Sequence, residues 1–235
     1  MTTVAINQPY LFPYVGYYQL VAAADVFVLL DDVTYRKGGF INRNTIIDKK
    51  GSPIRFTLPV RGASSNRPIR DHFYGTDNNK TVRSIDQCYQ GKPGYATWSP
   101  IIHEILSDHP NSRVSDINEQ SVRRPLEVIG LQRPMYRSSQ LDPERKYSGA
   151  KRVIHICKLL EATRYINLPG GQSLYDANHF AEHEIQLGFM PQPPAEVLPD
   201  GSTIYPSLIH SLMTDDDLLT SASRLRPGQE RERPW

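Results

Sequence analysis

Thr3-Val4-Ala5-Ile6-Asn7 is followed by Gln8-Pro9-Tyr10-Leu11-Phe12-Pro13-Tyr14-Val15-Gly16-Tyr17-Tyr18 and then by Asp25-Val26-Phe27-Val28-Leu29-Leu30-Asp31-Asp32. Thr3 to Asn7 reads as a short strand and Val15 to Ala24 as a helix. Asp25 to Leu30 is an almost uninterrupted apolar, β-rich run. A short strand that is apolar on both faces is buried on both faces, as in a parallel sheet. Strand, helix and strand within about thirty residues make a βαβ unit.

The stretch from Ile6 to Tyr18 carries four tyrosines, two prolines and two side-chain amides, Asn7 and Gln8. A mere connector would be more polar. Open α/β sheets place ligands at the carboxyl ends of their strands, and rigid aromatic loops there point to a site. Asp31 and Asp32 end the second strand. Adjacent residues on a strand point to opposite faces, so one of the two is expected to face that site.

Further along, Ile54 to Val60 alternates as a strand, and Tyr35 to Asn44 reads as a loop carrying Lys37, Asn42, Arg43 and Asn44. Lys80 to Tyr89, Pro100 to Leu106 and Ser115 to Ile129 read as helices, with Ser115 as an N-cap and Gly130 as a stop. Met135 to Ser138 reads as a strand, and Ser148 caps an amphipathic helix to about Ala162. Tyr165 to Asn167 is the next strand and ends at Pro169-Gly170-Gly171-Gln172. A short helix through Tyr175 to Phe180, a strand at Glu184 to Phe189 and a final helix at Ser207 to Ser223 complete the pattern. The expectation is a mainly parallel open α/β sheet with flanking helices and a helical insertion near 77–130. It forms a single domain over 1–225 with a mobile tail at 226–235.

Composition agrees with one ordinary domain: 235 residues, 39% hydrophobic, with 19 prolines and 15 glycines that imply many fixed turns. Tyrosine is abundant at 13, and it suits sugar-like ligands and half-buried packing alike. The net charge is +2 and no Lys/Arg stripe lies on one helix, which argues against nucleic acid. No apolar run approaches the roughly 18 residues needed to span a membrane. Two distant cysteines, Cys88 and Cys157, without a signal peptide predict a reduced, cytoplasmic setting.

Several local matches to catalytic motifs have simpler readings. His179-Phe180-Ala181-Glu182-His183 spells H-x-x-E-H, but a strand begins near Glu184 and leaves His183 beyond the helix, so no metal is assigned. Ser148-Gly149-Ala150-Lys151 spells S-x-x-K without its partner motifs. Cys157 lies in the apolar stripe of its helix and reads as core. Paired glycines at Gly170 and Gly171 let backbone N–H groups approach an anion or oxyanion, although paired glycines also occur in ordinary turns.

Taken together, Asn7 to Tyr17, Ala24 to Val33, Lys37 with Ile41 to Asn44, Leu58-Pro59-Val60, Ile156-Cys157-Lys158, Tyr165-Ile166-Asn167, Gly170 to Tyr175 and Tyr205 to Ile209 resemble the WbqC-like protein family. Members commonly carry His where Asn7 stands, so a proton-transfer role for that position does not carry over. The resemblance implies an acyl or aminoacyl transferase that forms an amide on an amino-sugar or related amine. The setting is polysaccharide or specialised-metabolite biosynthesis, with an acyl carrier protein thioester as one donor. It names no cofactor.

On that reading Asp31 or Asp32 orients or deprotonates the amine. Asn7, Gln8, Tyr10, Tyr14, Tyr17, Asn42, Asn44, Gln172 and Tyr175 hold the substrate. Gly170 and Gly171 serve an oxyanion, and Arg43 or Lys37 holds a nucleotide or carrier phosphate. Two alternatives stand beside it. One is a nucleotide-dependent transferase or ligase, since Pro-Tyr-Val-Gly-Tyr loosely echoes the H-x-G-H turn of nucleotidyl transferases without its histidines. The other is a non-catalytic ligand-binding module.

Overall fold

Five short parallel strands organise the chain in a computed structural model that describes residues 1–76, 78–107, 112–193 and 195–215. In chain order the elements begin with β1 (Thr3–Asn7), α1 (Val15–Ala23), β2 (Val26–Leu29), β3 (Arg43–Ile47) and β4 (Pro53–Thr57). Three longer helices follow: α2 (Asn79–Tyr89), α3 (Tyr95–Leu106) and α4 (Val114–Val128). Then come β5 (Met135–Arg137), α5 (Ser138–Leu141), α6 (Gly149–Leu159), β6 (Arg164–Asn167), α7 (Ala177–Ala181) and β7 (Gln186–Phe189). A 3-10 turn at Pro169–Leu174 joins β6 to α7. Two short strands, β8 (Glu196–Val197) and β9 (Thr203–Ile204), precede α8 (Leu208–Thr214).

The main sheet has the order β5-β2-β1-β6-β7, and every pairing in it is parallel. This is the expected α/β architecture. The chain winds outward from β1 through β2 to β5, returns, and winds the other way through β6 to β7. The order therefore reverses between β1 and β6, and the crevice at such a reversal is where open sheets bind ligands.

Side-chain alternation along the strands explains the two layers. Ala5, Phe27, Leu29 and Ile166 face Tyr17, Tyr18, Leu20 and Val21 of α1 within one core. Val4, Ile6, Val28 and Tyr165 face Val153, Ile154, Ile156 and Cys157 of α6 within the other. Helix α1 is buried nearly all round. A β-carbon on Gly16 would come within 2.6 Å of the Tyr14 ring and 2.8 Å of Pro193, so glycine lets the aromatic loop close onto the helix start.

The crossover from β2 to β5 holds the helices α2, α3 and α4 and also an antiparallel hairpin, β3 with β4. The hairpin corrects the reading of Arg43 and Asn44 as loop residues: both lie on β3. Helix α3 begins at Tyr95, so Pro100 sits inside it and does not start it; the helix continues through the proline without the N–H bond that would run from position 100 back to Ala96 O. Ser115 is not an N-cap. Arg113 holds that position, and the Ser115 hydroxyl is buried inside α4 without a hydrogen-bond partner among the described residues. Gly130 does end α4, at φ 75°. The final helix is described only to Thr214. The expected continuation to Ser223 and the tail at 226–235 lie outside the described residues.

Candidate functional site

The β1–β6 reversal opens into a cleft of about 570 Å³. Its floor is formed by the ends of neighbouring strands with the same local sequence, Ile6-Asn7-Gln8-Pro9 and Ile166-Asn167-Leu168-Pro169. In each, the asparagine Oδ1 accepts from the next backbone N–H, Gln8 N at 2.8 Å and Leu168 N at 2.7 Å. That bond fixes the carboxamide and leaves both Nδ2 groups without a protein acceptor among the described residues. A β-carbon on Gly171 would lie 2.6 Å from Asn167 Nδ2, so glycine there preserves room for the amide.

The walls are aromatic. Phe40 packs on Tyr10 with ring centroids 5.9 Å apart, and Tyr10 leans on Tyr17, which reaches the core at Phe27. On the next side Tyr14 meets Tyr205 at 5.6 Å. Tyr175 forms the third side, braced edge-on by Tyr165 and Phe180. Leu168 and the exposed Leu174 complete the apolar lining.

The aromatic loop is held in a strained shape. Phe12 is a buried non-glycine residue at φ 40°, a conformation that persists only where its surroundings over-determine it. Those surroundings are explicit. Phe12 N donates to Ser121 Oγ at 3.0 Å, and Phe12 O accepts from Asn44 Nδ2 at 2.8 Å and from Ser207 Oγ at 2.7 Å. Asn44 also donates to Leu11 O, and Asn118 Nδ2 donates to Pro9 O. Tyr17 Oη donates to Gln8 O at 2.7 Å. The segment before α8 closes the loop from outside, where Leu208 N donates to Pro13 O.

Among the expected site residues, Asn7, Gln8, Tyr10, Tyr14, Asn44, Gly170, Gly171 and Tyr175 line this cleft. Asn44 lines it with its carboxamide fully used on backbone groups. Gly171 N–H donates to Leu168 O at 2.9 Å, so of the paired glycines Gly170 carries the N–H left for a ligand. Tyr17 and Asn42 are framework. Asn42 accepts from Tyr35 Oη and donates to Leu58 O. The Arg43 guanidinium is turned onto Gly38 O. Lys37 and Gln172 are exposed outside the lining.

Asp31 and Asp32 are buried away from the cleft and both are engaged, against the expectation that one would face a ligand. Asp31 accepts from Ser139 N at 3.1 Å and from the hydroxyls of Ser138 and Ser139. Asp32 accepts from Ser138 Oγ at 2.7 Å and pairs with Arg152, which also holds Asp142 at 2.7 Å. The two aspartates tie the end of β2 to α5 and α6.

No carboxylate, imidazole, thiol, ammonium or guanidinium lines the cleft among the described residues. Tyrosine is its one titratable type among the described residues, and burial pushes the Tyr10 phenol up and the Tyr14 phenol up to about 12, with Tyr205 and Tyr10 adding to the effect on Tyr14. The cysteines lie elsewhere, both buried, and burial raises the Cys157 thiol to about 12. His183 lies past the end of α7. The cleft therefore offers ring faces, hydroxyls, carboxamides and one backbone N–H to a molecule whose bound part is uncharged.

The model of the WbqC-like protein family matches residues 8–200, most of the chain and every strand of the main sheet except β1. The chain belongs to the WbqC-like protein family. Within it, the chain is 26% identical over 189 residues to the uncharacterized protein Rv1507c of Mycobacterium tuberculosis (strain ATCC 25618 / H37Rv). That likeness covers 80% of this chain and 81% of the relative. No solved structure gives a significant match to this WbqC-like chain. Among the described residues, no helix is long and apolar enough to cross a membrane.

Sequence reasoning missed Phe40, Asn167, Leu168, Leu174 and Tyr205 of the lining. For Asn167 a signal existed, the repeated Ile-Asn-x-Pro at the ends of two strands.

Proposed function

We propose that this WbqC-like chain is an acyl or aminoacyl transferase that binds an amino-sugar or related hydroxylated amine in the cleft between β1 and β6 and forms an amide on it. The observation that carries the reading is the lining: tyrosine faces and hydroxyls around the uncommitted amides of Asn7, Gln8 and Asn167, at the reversal of the sheet. Stacking faces with carboxamide donors and acceptors suit sugar hydroxyls.

The chemistry needs little beyond placement. The free amine attacks the carbonyl carbon of a carrier-bound thioester, the C–S bond breaks, and the amine's proton passes to the departing thiolate. Amide and thiol are the products. Holding the two reactants in register supplies much of the acceleration. On this reading the Gly170 N–H and the Asn7 or Asn167 carboxamide serve as donors to the developing oxyanion. With no carboxylate or imidazole in the cleft among the described residues, the amine has to arrive unprotonated.

The test is a mass-spectrometric assay of the purified chain with glucosamine and an acyl-pantetheine thioester. The reading expects an amide product that depends on the protein, and absence of product across several amines and donors would sink it. The lack of any acid or base other than tyrosine in the lining, among the described residues, favours one second reading, a binding module without turnover. It expects calorimetric binding of the same amines and no product.

A further inference from the structure

The cleft is neutral, but its rim is not. Between Val33 and Gly75 the chain carries nine Lys and Arg against two Asp, a surplus of seven in a protein whose net charge is +2. This segment supplies two cleft residues, Phe40 and Asn44. Beside Phe40 lie Arg36 and Lys37, both exposed, and neither is paired with a carboxylate among the described residues. Their loop has a built shape. Gly38 turns at φ 78°, Gly39 N donates to Arg36 O, the Arg43 guanidinium rests on Gly38 O, and Phe40 O accepts from Leu11 N at 3.1 Å. The positive charge of Arg36 already reaches a cleft group, since it pulls down the Tyr10 phenol against the larger raising effect of burial.

We infer that Arg36 and Lys37 form an anion subsite at the cleft mouth that takes a phosphate ester, so that the ligand is bipartite: a neutral hydroxylated part within and a phosphate at the rim. The inference deepens the proposed function and rests on that reading for the position of the neutral part. Arg43 is left out of the subsite because its guanidinium is turned back onto Gly38 O of its own loop. Guanidinium and ammonium groups gathered at a cleft edge raise the local concentration of an anionic ligand and make charge-assisted bonds to it. A phosphate could belong to the acceptor, as in a sugar phosphate, or to the donor, as in a phosphopantetheine arm.

Calorimetry on the full chain with two matched pairs tests this. The pairs are glucosamine against glucosamine 1-phosphate, and pantetheine against 4′-phosphopantetheine. The expected result is that the phosphorylated member of at least one pair binds about tenfold more tightly or better at low salt, and which pair it is identifies the phosphate's source. The preference should shrink with added salt and vanish in R36Q/K37Q. It should persist in K49Q/K50Q, which removes the same charge from the exposed turn between β3 and β4.

Equal binding within each pair, no binding by either phosphate, or a preference unchanged in R36Q/K37Q would overturn the inference. The cleft reading fails separately. If glucosamine and pantetheine bind as well as their phosphates, the rim falls and the cleft stands. If only the phosphates bind, and do so in a Y14A variant as well, the rim stands and the cleft falls.

Discussion

Ser207 Oγ donates to Phe12 O at 2.7 Å across 195 positions of sequence. This bond joins the start of α8 to the strained residue of the aromatic loop. The same hydroxyl accepts from Ile209 N, so Ser207 caps α8 while it holds the loop. Ser207→Ala should cost about 1–2 kcal/mol of stability, read from denaturant unfolding. Ligand affinity should fall as well, because Tyr14 and Tyr205 are set by the same junction. Unchanged affinity would separate α8 from the cleft.

Gly94 makes a second test of that junction. Its N–H donates to Met213 O, and a β-carbon there would sit 2.0 Å from Leu212 O, a backbone atom that cannot swing aside. Gly94→Ala should destabilise by roughly 1–3 kcal/mol or more, measured as a shift of the unfolding midpoint, with weakened binding in the fraction that remains folded.

Acid should loosen α8. His210 Nδ1 lies 3.0 Å from the Tyr89 hydroxyl, which accepts from Ile47 N and so donates to the ring. Burial lowers the His210 pKa below its ordinary 6.5, with Lys92 acting in the same direction and Glu196 opposing. The unfolded chain therefore takes up this proton more readily. The contribution to stability is present above pH 6.5 and is lost as pH falls through the folded value. Unfolding midpoints measured from pH 7.5 down to 5 should decline, and His210→Gln should flatten that decline.

Amide formation should follow the protonation of the acceptor alone. Tyr14 titrates near 12 and the lining carries no other acid or base type. The rate at subsaturating amine should rise with pH and level off at that amine's own pKa, shifting when an amine of different pKa is used. A profile fixed in position across several amines would reveal a protein base.

The βαβ core was legible because Val26 to Leu29 is apolar on every side chain, and only burial on both faces explains such a run. The site's first wall was legible for a related reason: rigid aromatics at a strand end have few other uses. The hairpin was half legible: Ile54 to Val60 alternates as a strand, whereas β3 opens on Arg43 and Asn44 and ends on the apolar pair Ile46-Ile47, a sequence without clean alternation. Asp31 and Asp32 misled because carboxylates at a strand end serve a ligand or a buried arginine equally well in sequence. Arg152, the partner of Asp32, is 120 residues beyond it, and Ser139, which holds Asp31, is 108 residues beyond Asp31. Phe40 and Tyr205 reach the cleft through packing between distant segments, which local spacing does not encode.

On the proposed function the Asn167 carboxamide serves the chemistry and Asp31 serves the fold, and one comparison separates the two roles. Amide formation per folded molecule is measured for Gly171→Ala and Asp31→Asn beside the unaltered chain, with unfolding midpoints for all three. In Gly171→Ala the new methyl meets the end of the Asn167 side chain and not backbone. The account predicts a rate at least about tenfold lower for that variant with a small change in midpoint, and a lowered midpoint with an intact rate for Asp31→Asn. An intact rate in Gly171→Ala together with a lost rate in fully folded Asp31→Asn would contradict it and return the chemistry to the aspartates.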